Sequence, residues 1–431
     1  MTQSLKFVDL FAGLGGFHHG LSKAGGFKCV FASEIDPQLR DLYEVNHGLK
    51  THGDLTQIGL NTVPKHEVLC AGFPCQPFSL AGQKKGISCP QFGRLIDHVI
   101  DIARFRKPEF LFLENVPGLL TVENGSVWKF ITSAFTALGY KLTHKVISPL
   151  DVAVPQNRKR LFIVGSLKHD VSRVFDWPSP ERVPTVSEFL ENTPSSFKAI
   201  ESNKRVQLEK WQHLLLKCQF PEKMPIVSIA SPEFGATYPL DFSKITLREL
   251  REYRGAYGNN LRECIDWADI LGKLPSYCRR QRKVPSWLTQ SINFSRNFYK
   301  HNKEWLDEWH RDLNKCYNSW QVLEWRGDRY VRLLNQHLLQ FRASGIRVIK
   351  PHTLPSLIAM TPTQVPIIGS GMRYLTKDEA ARFQSLHDLT KIPIDDRDAF
   401  KAIGNAVNAK VVEKIASNIW RTTVKTVKGT T

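Results

Sequence analysis

Five short apolar runs, each followed by a stretch with helical periodicity, constrain the fold of this chain more than any other feature. They lie between Leu5 and Ser166 and read LKFVDLF, CVFASEI, EVLCAGF, EFLFLENV and RLFIVGS. Near-continuous apolar runs of this length are typical of strands that are buried on both faces of a parallel sheet. The pattern therefore predicts an α/β domain with a doubly wound, mostly parallel, Rossmann-like sheet.

The character of the sequence changes after Ser166, where four prolines fall between positions 178 and 194. The segment that follows lacks the alternation of strands and helices and carries most of the tryptophans. Helical patterns return near the C-terminus, where Thr376 and Glu379 form a capping-box signature. We therefore predict an α/β domain at residues 1–168, a smaller mixed domain at 169–345, and a segment at 346–431 that returns to complete the first domain.

The formal net charge of +18 favours a polyanionic partner. Between Lys273 and Lys350 there are 16 Lys and Arg against 6 Asp and Glu. This segment includes Arg279, Arg280, Arg282 and Lys283, which we predict to contact nucleic acid. A basic surface that only aids solubility is the alternative interpretation.

The sequence disfavours a membrane-bound or secreted protein, a disulfide framework and a structural metal site. No apolar stretch approaches the roughly 18 residues of a membrane span, and the N-terminus does not resemble a signal peptide. We therefore expect a soluble, cytoplasmic protein. The eight cysteines include no Cys-x-x-Cys pair, so we expect neither a disulfide framework nor a structural metal site.

A glycine-rich turn follows the first predicted strand and opens the first predicted helix. It comprises Asp9, Leu10, Phe11, Gly13, Gly15 and Gly16. Glycines allow the backbone to approach a nucleotide closely, and Glu34 ends the next strand, where a carboxylate can accept from both ribose hydroxyls. Asp54 and Leu55 follow where the next strand edge should lie. Because the spacing is not G-x-G-x-x-G, a nucleoside cofactor without phosphates fits better than a dinucleotide; a tight turn beside solvated acids is the alternative.

Three further groups are predicted at the same edge of the sheet. Cys75 follows Pro74 after the third apolar run, and Glu114 ends the fourth. Because the carboxyl ends of parallel strands converge, these side chains could face one pocket. Arg158 and Arg160 lie two residues apart on an extended segment, so both could pair with Glu114 or hold a polar substrate. In isolation, a cysteine in a loop is more often a bystander than a catalyst, and the arginines could equally be surface ion-pair partners.

Six motifs, in order, resemble those of the DNA (cytosine-5) methyltransferase family. They are DLFAGLGG, GFPCQPFS, ENVPGL, QNRKRLFIVG, RYLTKDEAARFQSL and AIGNAV. The matched regions are roughly residues 5–166 and 345–415. The segment between them occupies the place of that family's variable target recognition domain.

The resemblance implies transfer of a methyl group from S-adenosylmethionine to carbon 5 of a flipped-out cytosine in a short, specific sequence of duplex DNA. Cys75 would attack carbon 6 as the covalent nucleophile, and Glu114 would hold the proton on ring nitrogen 3. Arg160 would contact the exocyclic oxygen and orient Glu114. Arg158 would support the cysteine loop and the cofactor side.

The resemblance also implies the ligand contacts. S-adenosylhomocysteine would be the product, and no metal is expected. The implied cofactor contacts are Asp9, Leu10, Phe11, Gly13, Gly15, Gly16, Glu34, Ile35, Asp54, Leu55, Pro74, Asn405, Ala406 and Val407. Gln76 and Ser79 would contact DNA together with the basic cluster at 279–283. We expect a monomer, with a cognate restriction endonuclease acting separately as a possible partner.

Three alternatives remain at this point. An RNA-directed member of the same family is disfavoured by the length of the 169–345 segment. A DNA-binding relative without catalysis is disfavoured by the presence of Cys75, Glu114 and Arg160. A nicotinamide-dependent oxidoreductase on a similar sheet is disfavoured by the glycine spacing.

Overall fold

The computed structural model describes residues 4–74, 93–310, 317–357 and 364–428. The chain divides into two compact units. The first comprises residues 1–193, 353–362 and 376–431, and the second comprises 194–352 and 363–375. Residues 169–193 thus belong to the first unit and residues 346–352 and 363–375 to the second, whereas the sequence analysis placed the domain boundaries at 168 and 345.

The first unit is built on a six-stranded sheet. Its strands occur in the order β2-β1-β3-β4-β7-β5. Strands β2, β1, β3 and β4 are parallel, and β7 runs antiparallel to both of its neighbours. The strands of this part of the chain are β1 (Leu5–Leu10), β2 (Phe27–Ser33), β3 (Val68–Ala71), β4 (Phe110–Asn115), β5 (Lys141–Ile147), the short β6 (Gln156–Asn157) and β7 (Arg160–Ser166).

The predicted doubly wound, mostly parallel α/β fold is confirmed, and the five apolar runs form β1, β2, β3, β4 and β7. The last run differs from the expectation because β7 is antiparallel. It lies between β4 and β5, so it is buried regardless of its direction. Strand β5 was not predicted, because it is an edge strand whose residues are mostly part-exposed.

Helices cover both faces of this sheet. Phe7, Val68 and Phe110 point to one face, where they pack with Phe17 of α1. Val8, Leu69 and Leu111 point to the other face, where they pack with residues of α3 and α4. This alternation is what a strand period of two requires of a sheet buried on both sides. The helices are α1 (Gly16–Ala24), α2 (Pro37–His47), α3 (Gly93–Arg106), α4 (Ser126–Ala137) and the short α5 (Val171–Val174).

The second unit contains its own sheet and its own core. The sheet has the order β14-β13-β10-β11-β9-β8, in which β9 and β11 are parallel and the other pairs antiparallel. Its strands are β8 (Ser228–Ala230), β9 (Val322–Arg326), β10 (Leu338–Arg342), β11 (Gly345–Ile349), β13 (Ile367–Ile368) and β14 (Arg373–Tyr374). Its helices are α6 (Ser202–Lys217), α7 (Leu247–Leu250), α8 (Trp267–Gly272), α9 (Ser276–Arg279), α10 (Thr289–His301) and α11 (Lys303–Trp309).

The C-terminal part of the chain completes the first unit. It contributes β12 (Leu354–Pro355), α12 (Lys377–Phe383), α13 (Asp396–Asn405) and α14 (Ala409–Lys428). The capping box at α12 is present, with the Thr376 hydroxyl accepting from the Glu379 amide at 3.1 Å. Helix α14 packs against α1 so closely that a Cβ atom on Gly20 would lie 2.5 Å from the side chain of Val412. No helix in the described ranges is long and apolar enough to cross a membrane.

Candidate functional site

Four chain segments bring predicted site residues to one edge of the large sheet. Glu34 follows β2, Pro74 follows β3, and Glu114 lies near the end of β4. Arg160 begins β7, and because β7 is antiparallel to β4, its first residue lies at this same edge. The carboxyl edge of such a sheet is where ligands bind in open α/β folds.

Glu114 and Arg160 form an ion pair at this edge. The Arg160 Nε atom lies 3.0 Å from Glu114 Oε1, and the two side chains are only 17% and 13% exposed. Burial raises the pKa of Glu114, while the positive charges of Arg160 and Arg158 oppose the rise. The pairing of Arg160 with Glu114 is one of those the sequence suggested. Burial outweighs the effect of the arginines, so this carboxyl group protonates more readily than an exposed one.

Arg158 is placed differently from Arg160. Its side chain is buried, and its guanidinium donates to the carbonyl oxygens of Leu357 at 2.5 Å, Gly404 at 2.8 Å and Ala406 at 3.1 Å. These bonds tie the β6–β7 region to two parts of the C-terminal segment. Arg158 therefore holds the backbone that carries Ala406, one of the predicted cofactor contacts.

Asn115 is a positioning residue that the sequence analysis did not single out. Its side-chain amide donates to the Phe73 carbonyl at 3.1 Å, and its oxygen accepts from the Val116 amide at 2.8 Å. It thereby links the end of β4 to the residues that follow β3 and lead toward Cys75. Its place beside Glu114 in the ENVPGL motif was the available signal. Cys75, Gln76 and Ser79 lie outside the described residues.

The glycine-rich turn after β1 holds the Glu34 carboxylate with its backbone. The Gly13 amide donates to Glu34 Oε2 at 2.7 Å, and the Asp36 amide donates to Oε1 at 2.9 Å. Phe11 and Gly13 adopt φ angles of 58° and 54°. Apart from Gly13 itself and its two chain neighbours, no atom of the described residues lies within 4 Å of the place where a Gly13 Cβ would be. The turn therefore combines a fixed carboxylate with open space beside its backbone.

Gly15 and Gly16 are required by close packing. A Cβ on Gly15 would collide with the His47 ring, and one on Gly16 would lie 2.5 Å from the Val407 carbonyl oxygen. Ala406 and Val407 are buried, whereas Asn405 is exposed. The C-terminal segment therefore abuts the glycine turn through Val407.

An apolar side chain lies in solvent beside the Glu34 carboxylate. Ile35 is 69% exposed, although it directly follows a buried glutamate. Asp54 lies on a nearby turn, where its carboxylate accepts from the Thr56 amide at 2.9 Å. The strand end that carries Ser33 and Glu34 is bonded to this turn through the Ser33 hydroxyl, which donates to the Gly53 carbonyl at 3.0 Å. Pro74 is exposed at the end of the β3 segment.

Three of the predicted cofactor contacts point their side chains into the interior. Asp9, Leu10 and Leu55 are at most 4% exposed. Burial raises the pKa of Asp9 to about 8, although the Tyr43 hydroxyl donates to it at 3.3 Å. A ligand at this edge could reach only the main-chain atoms of these residues.

The four predicted DNA contacts of the second unit differ in their surroundings. Arg280 is exposed and makes no hydrogen bond or ion pair with the described residues, whereas Lys283 pairs with Asp241 at 2.9 Å. Arg282 lies 3.8 Å above the Trp267 ring. Arg279 donates to two backbone carbonyls of its own neighbourhood. Among the residues of the four described ranges, no group of three or more His, Cys, Asp and Glu could hold a metal ion.

Comparison with known sequences identifies related proteins. A family model described as C-5 cytosine-specific DNA methylase matches residues 5–421. The type II methyltransferase M.MspI of Moraxella sp is 37% identical over 210 residues, which is 48% of this chain and 50% of that protein. M.HhaI of Haemophilus parahaemolyticus is 38% identical over 182 residues, or 42% of this chain and 55% of that protein. The matched region thus spans little more than half the length of these two curated relatives.

Comparison with solved structures extends over nearly the whole chain. The Entamoeba histolytica methyltransferase EhMeth superimposes with a TM-score of 0.53 at 14% identity, covering 98% of this chain and 99% of that one. A prophage-encoded E. coli protein gives a TM-score of 0.55 at 19% identity, covering 97% and 99%. At these identities the likeness concerns the fold.

Proposed function

Because the chain belongs to the C-5 cytosine-specific DNA methylase family, we propose that it transfers a methyl group from S-adenosylmethionine to carbon 5 of a cytosine in a short sequence of duplex DNA. The observation that carries the proposal is the Glu114–Arg160 pair. It lies at the edge of the sheet where the chain leaves β3 toward Cys75.

The residues after β1 and β2 fit the nucleoside part of this cofactor. Each Glu34 oxygen accepts one backbone N–H, which leaves lone pairs for ribose hydroxyls. Ile35 offers an exposed apolar surface for an adenine ring, and Gly13 leaves room for a ligand against its backbone. Phe11, Asp54, Pro74 and the Asn405–Val407 segment would complete the site. When bound, S-adenosylmethionine supplies an electrophilic methyl group on a sulfonium.

The protein must activate a ring carbon that is otherwise too electron-poor to react. We assign the nucleophile to Cys75, whose thiolate adds to carbon 6 and shifts electron density to carbon 5. With the cofactor bound, carbon 5 would take the methyl group as the bond between that group and the sulfonium sulfur breaks, which would leave S-adenosylhomocysteine. Loss of the carbon 5 proton then expels the thiolate and restores the ring, so one proton is released for each methyl group transferred.

Glu114 and Arg160 are assigned to the polar edge of the cytosine ring, which carries nitrogen 3 and the exocyclic oxygen. The raised pKa of Glu114 favours a carboxyl group that holds a proton at ring nitrogen 3, where charge accumulates during the attack. Arg160 fixes the carboxyl group through its 3.0 Å contact and would bind the exocyclic oxygen. Arg158 is assigned to positioning, because its donors are occupied by the C-terminal backbone.

The net charge of +18 and the similarity to type II methyltransferases support duplex DNA as the partner. The target atom is inaccessible inside a duplex, so the cytosine must be flipped out at a cost of a few kcal/mol, which phosphate contacts offset. Gln76, Ser79, Arg279, Arg280, Arg282 and Lys283 are the proposed DNA contacts. The relatives M.MspI and M.HhaI are type II methyltransferases. We accordingly propose a monomer acting in the cytoplasm, with a separate cognate endonuclease.

The test is transfer of label from S-adenosylmethionine to duplex DNA or to RNA, followed by bisulfite sequencing of the product. We expect 5-methylcytosine in duplex DNA at one short sequence. Cys75→Ser should abolish transfer, and Cys218→Ser, at a buried thiol of the second unit, should retain it. Label in RNA alone, or full activity of Cys75→Ser, would contradict the proposal.

A further inference from the structure

The second unit contains a cavity that the proposed reaction does not use. Its volume is about 420 Å³, within the range of small-molecule sites. Its walls come from the β8 region, from residues 256–259 and 272–292, and from residues 318–324 and 343–344. The lining combines aromatic rings, cations and uncharged polar groups with one carboxylate, Glu324, which pairs with Arg347 at 2.7 Å.

Two tyrosine rings in the wall are held in place from behind. The Tyr277 hydroxyl donates to Glu233, a fully buried carboxylate that also pairs with Arg296 at 2.8 Å. The Tyr257 hydroxyl donates to Gln321 at 2.5 Å, and its ring stacks on His310 with a centroid separation of 5.6 Å. Both rings are therefore fixed before any ligand arrives.

A third ring, Trp287, stands in solvent at the cavity. Its side chain is 75% exposed, although it is among the largest apolar groups in the chain. Exposed rings beside a fixed cavity are suited to stacking against another planar ring.

Cations and unpaired polar side chains accompany the rings. Lys273 and Arg279 line the cavity. Arg279 donates through Nε to the Leu274 carbonyl at 2.8 Å and through Nη2 to Gly272 at 3.2 Å, which fixes its guanidinium. The side chains of Asn259 and Ser276 make no hydrogen bonds with the described residues. Groups of this kind bind the edges of a base and a phosphate.

We propose that this cavity binds a nucleotide, with its base against Tyr257, Tyr277 and Trp287 and its phosphate at Lys273 and Arg279. The base must be unstacked to enter. A DNA strand is the expected source, and this choice of source rests on the proposed function. A free nucleotide has the same chemistry and is distinguished below.

The test uses the full-length protein and compares two single-stranded probes of about 12 nucleotides. One carries a mixed base sequence, and the other carries abasic sugar units on the same phosphate backbone. Trp287→Ala should weaken binding of the base-bearing probe roughly tenfold and leave binding of the abasic probe unchanged, because only stacking is lost. Trp287→Phe should restore most of the affinity. Tyr330→Ala, at a ring that is 65% exposed and lies outside the lining, is the matched control.

Two results would overturn the proposal: equal affinity of wild type and Trp287→Ala for the base-bearing probe and for every monophosphate, or equal losses for both probes. Titration with each of the four deoxynucleoside monophosphates separates the sources. Trp287-dependent binding of a monophosphate, without a Trp287 effect on the strand, would assign the cavity to a free nucleotide and overturn the choice of DNA. None of these readouts needs methyl transfer, so failure here and failure of the proposed reaction are distinguishable.

Discussion

Replacement of Arg158 by methionine should destabilise the first unit and weaken cofactor binding. The side chain is 2% exposed and donates to three carbonyl oxygens, at Leu357, Gly404 and Ala406. A hydrogen bond to a charged group contributes about 1.5–3 kcal/mol, and bonds that share one guanidinium are not additive. We therefore expect a loss of about 4 kcal/mol and a fall in Tm of roughly 10 °C.

The same change should loosen the segment that places Val407 against Gly16. If about 1.4 kcal/mol of the loss falls on the cofactor site, affinity for S-adenosylmethionine should fall about tenfold. Thermal unfolding and calorimetric titration measure the two effects. Arg173→Met is the matched control, because the Arg173 side chain is 83% exposed and its one polar contact with the described part of the chain is an ion pair with Asp170. Loss of turnover with unchanged Tm and unchanged cofactor affinity would refute the positioning role and assign Arg158 to the reacting groups.

Three further changes test other parts of the site. Glu114→Gln should reduce kcat by a factor of roughly 10²–10⁴ without loss of cofactor binding. In the wild type, the rate should fall as pH rises through the raised pKa of Glu114, because the protonated carboxyl group is required. A rate that does not depend on pH would contradict this role. Asp9→Asn should flatten the dependence of Tm on pH. Burial raises the pKa of Asp9 from 3.8 to about 8, so the stability of the wild type should decline as pH rises between those values. A parallel decline in the variant would exclude Asp9 as the cause. Gly16→Ala should weaken cofactor binding by forcing Val407 away. Gly59→Ala is the control, because Gly59 has a negative φ and its Cβ would meet only Thr62 at 3.9 Å, and it should leave the affinity unchanged in the same titration. Equal affinities of the two variants would show that the contact is not needed.

The large sheet was predictable because burial on both faces leaves a signal in each strand. Strands β1, β3 and β4 are near-continuous apolar runs, and the edge strand β2 was found because its second half is buried and mostly apolar. Strand β5 has polar and part-exposed positions typical of an edge, so its composition resembles a loop. The direction of β7 was not predictable, since the burial of its residues is the same for either orientation.

The sequence predicted which residues form the site, but not all of the contacts that hold them in place. Glu114 and Arg160 stood out by motif and by their position at strand ends, and the structure brings them together. The partners of Arg158 lie 199 to 248 residues away along the chain, and backbone carbonyls carry no sequence signature. The nucleotide cavity had no motif, because its lining is drawn from short helices and loops of the second unit.

The most direct test of the central claim is covalent trapping of Cys75. A duplex in which the target cytosine carries fluorine at carbon 5 lacks the proton whose loss would expel the thiolate. With S-adenosylmethionine present, we predict a stable complex whose mass equals protein plus duplex plus one methyl group, with the adduct mapped by peptide analysis to Cys75. The Cys75→Ser protein should form none. Methylation of ordinary duplex without any trapped complex, or an adduct on a different residue, would contradict the account.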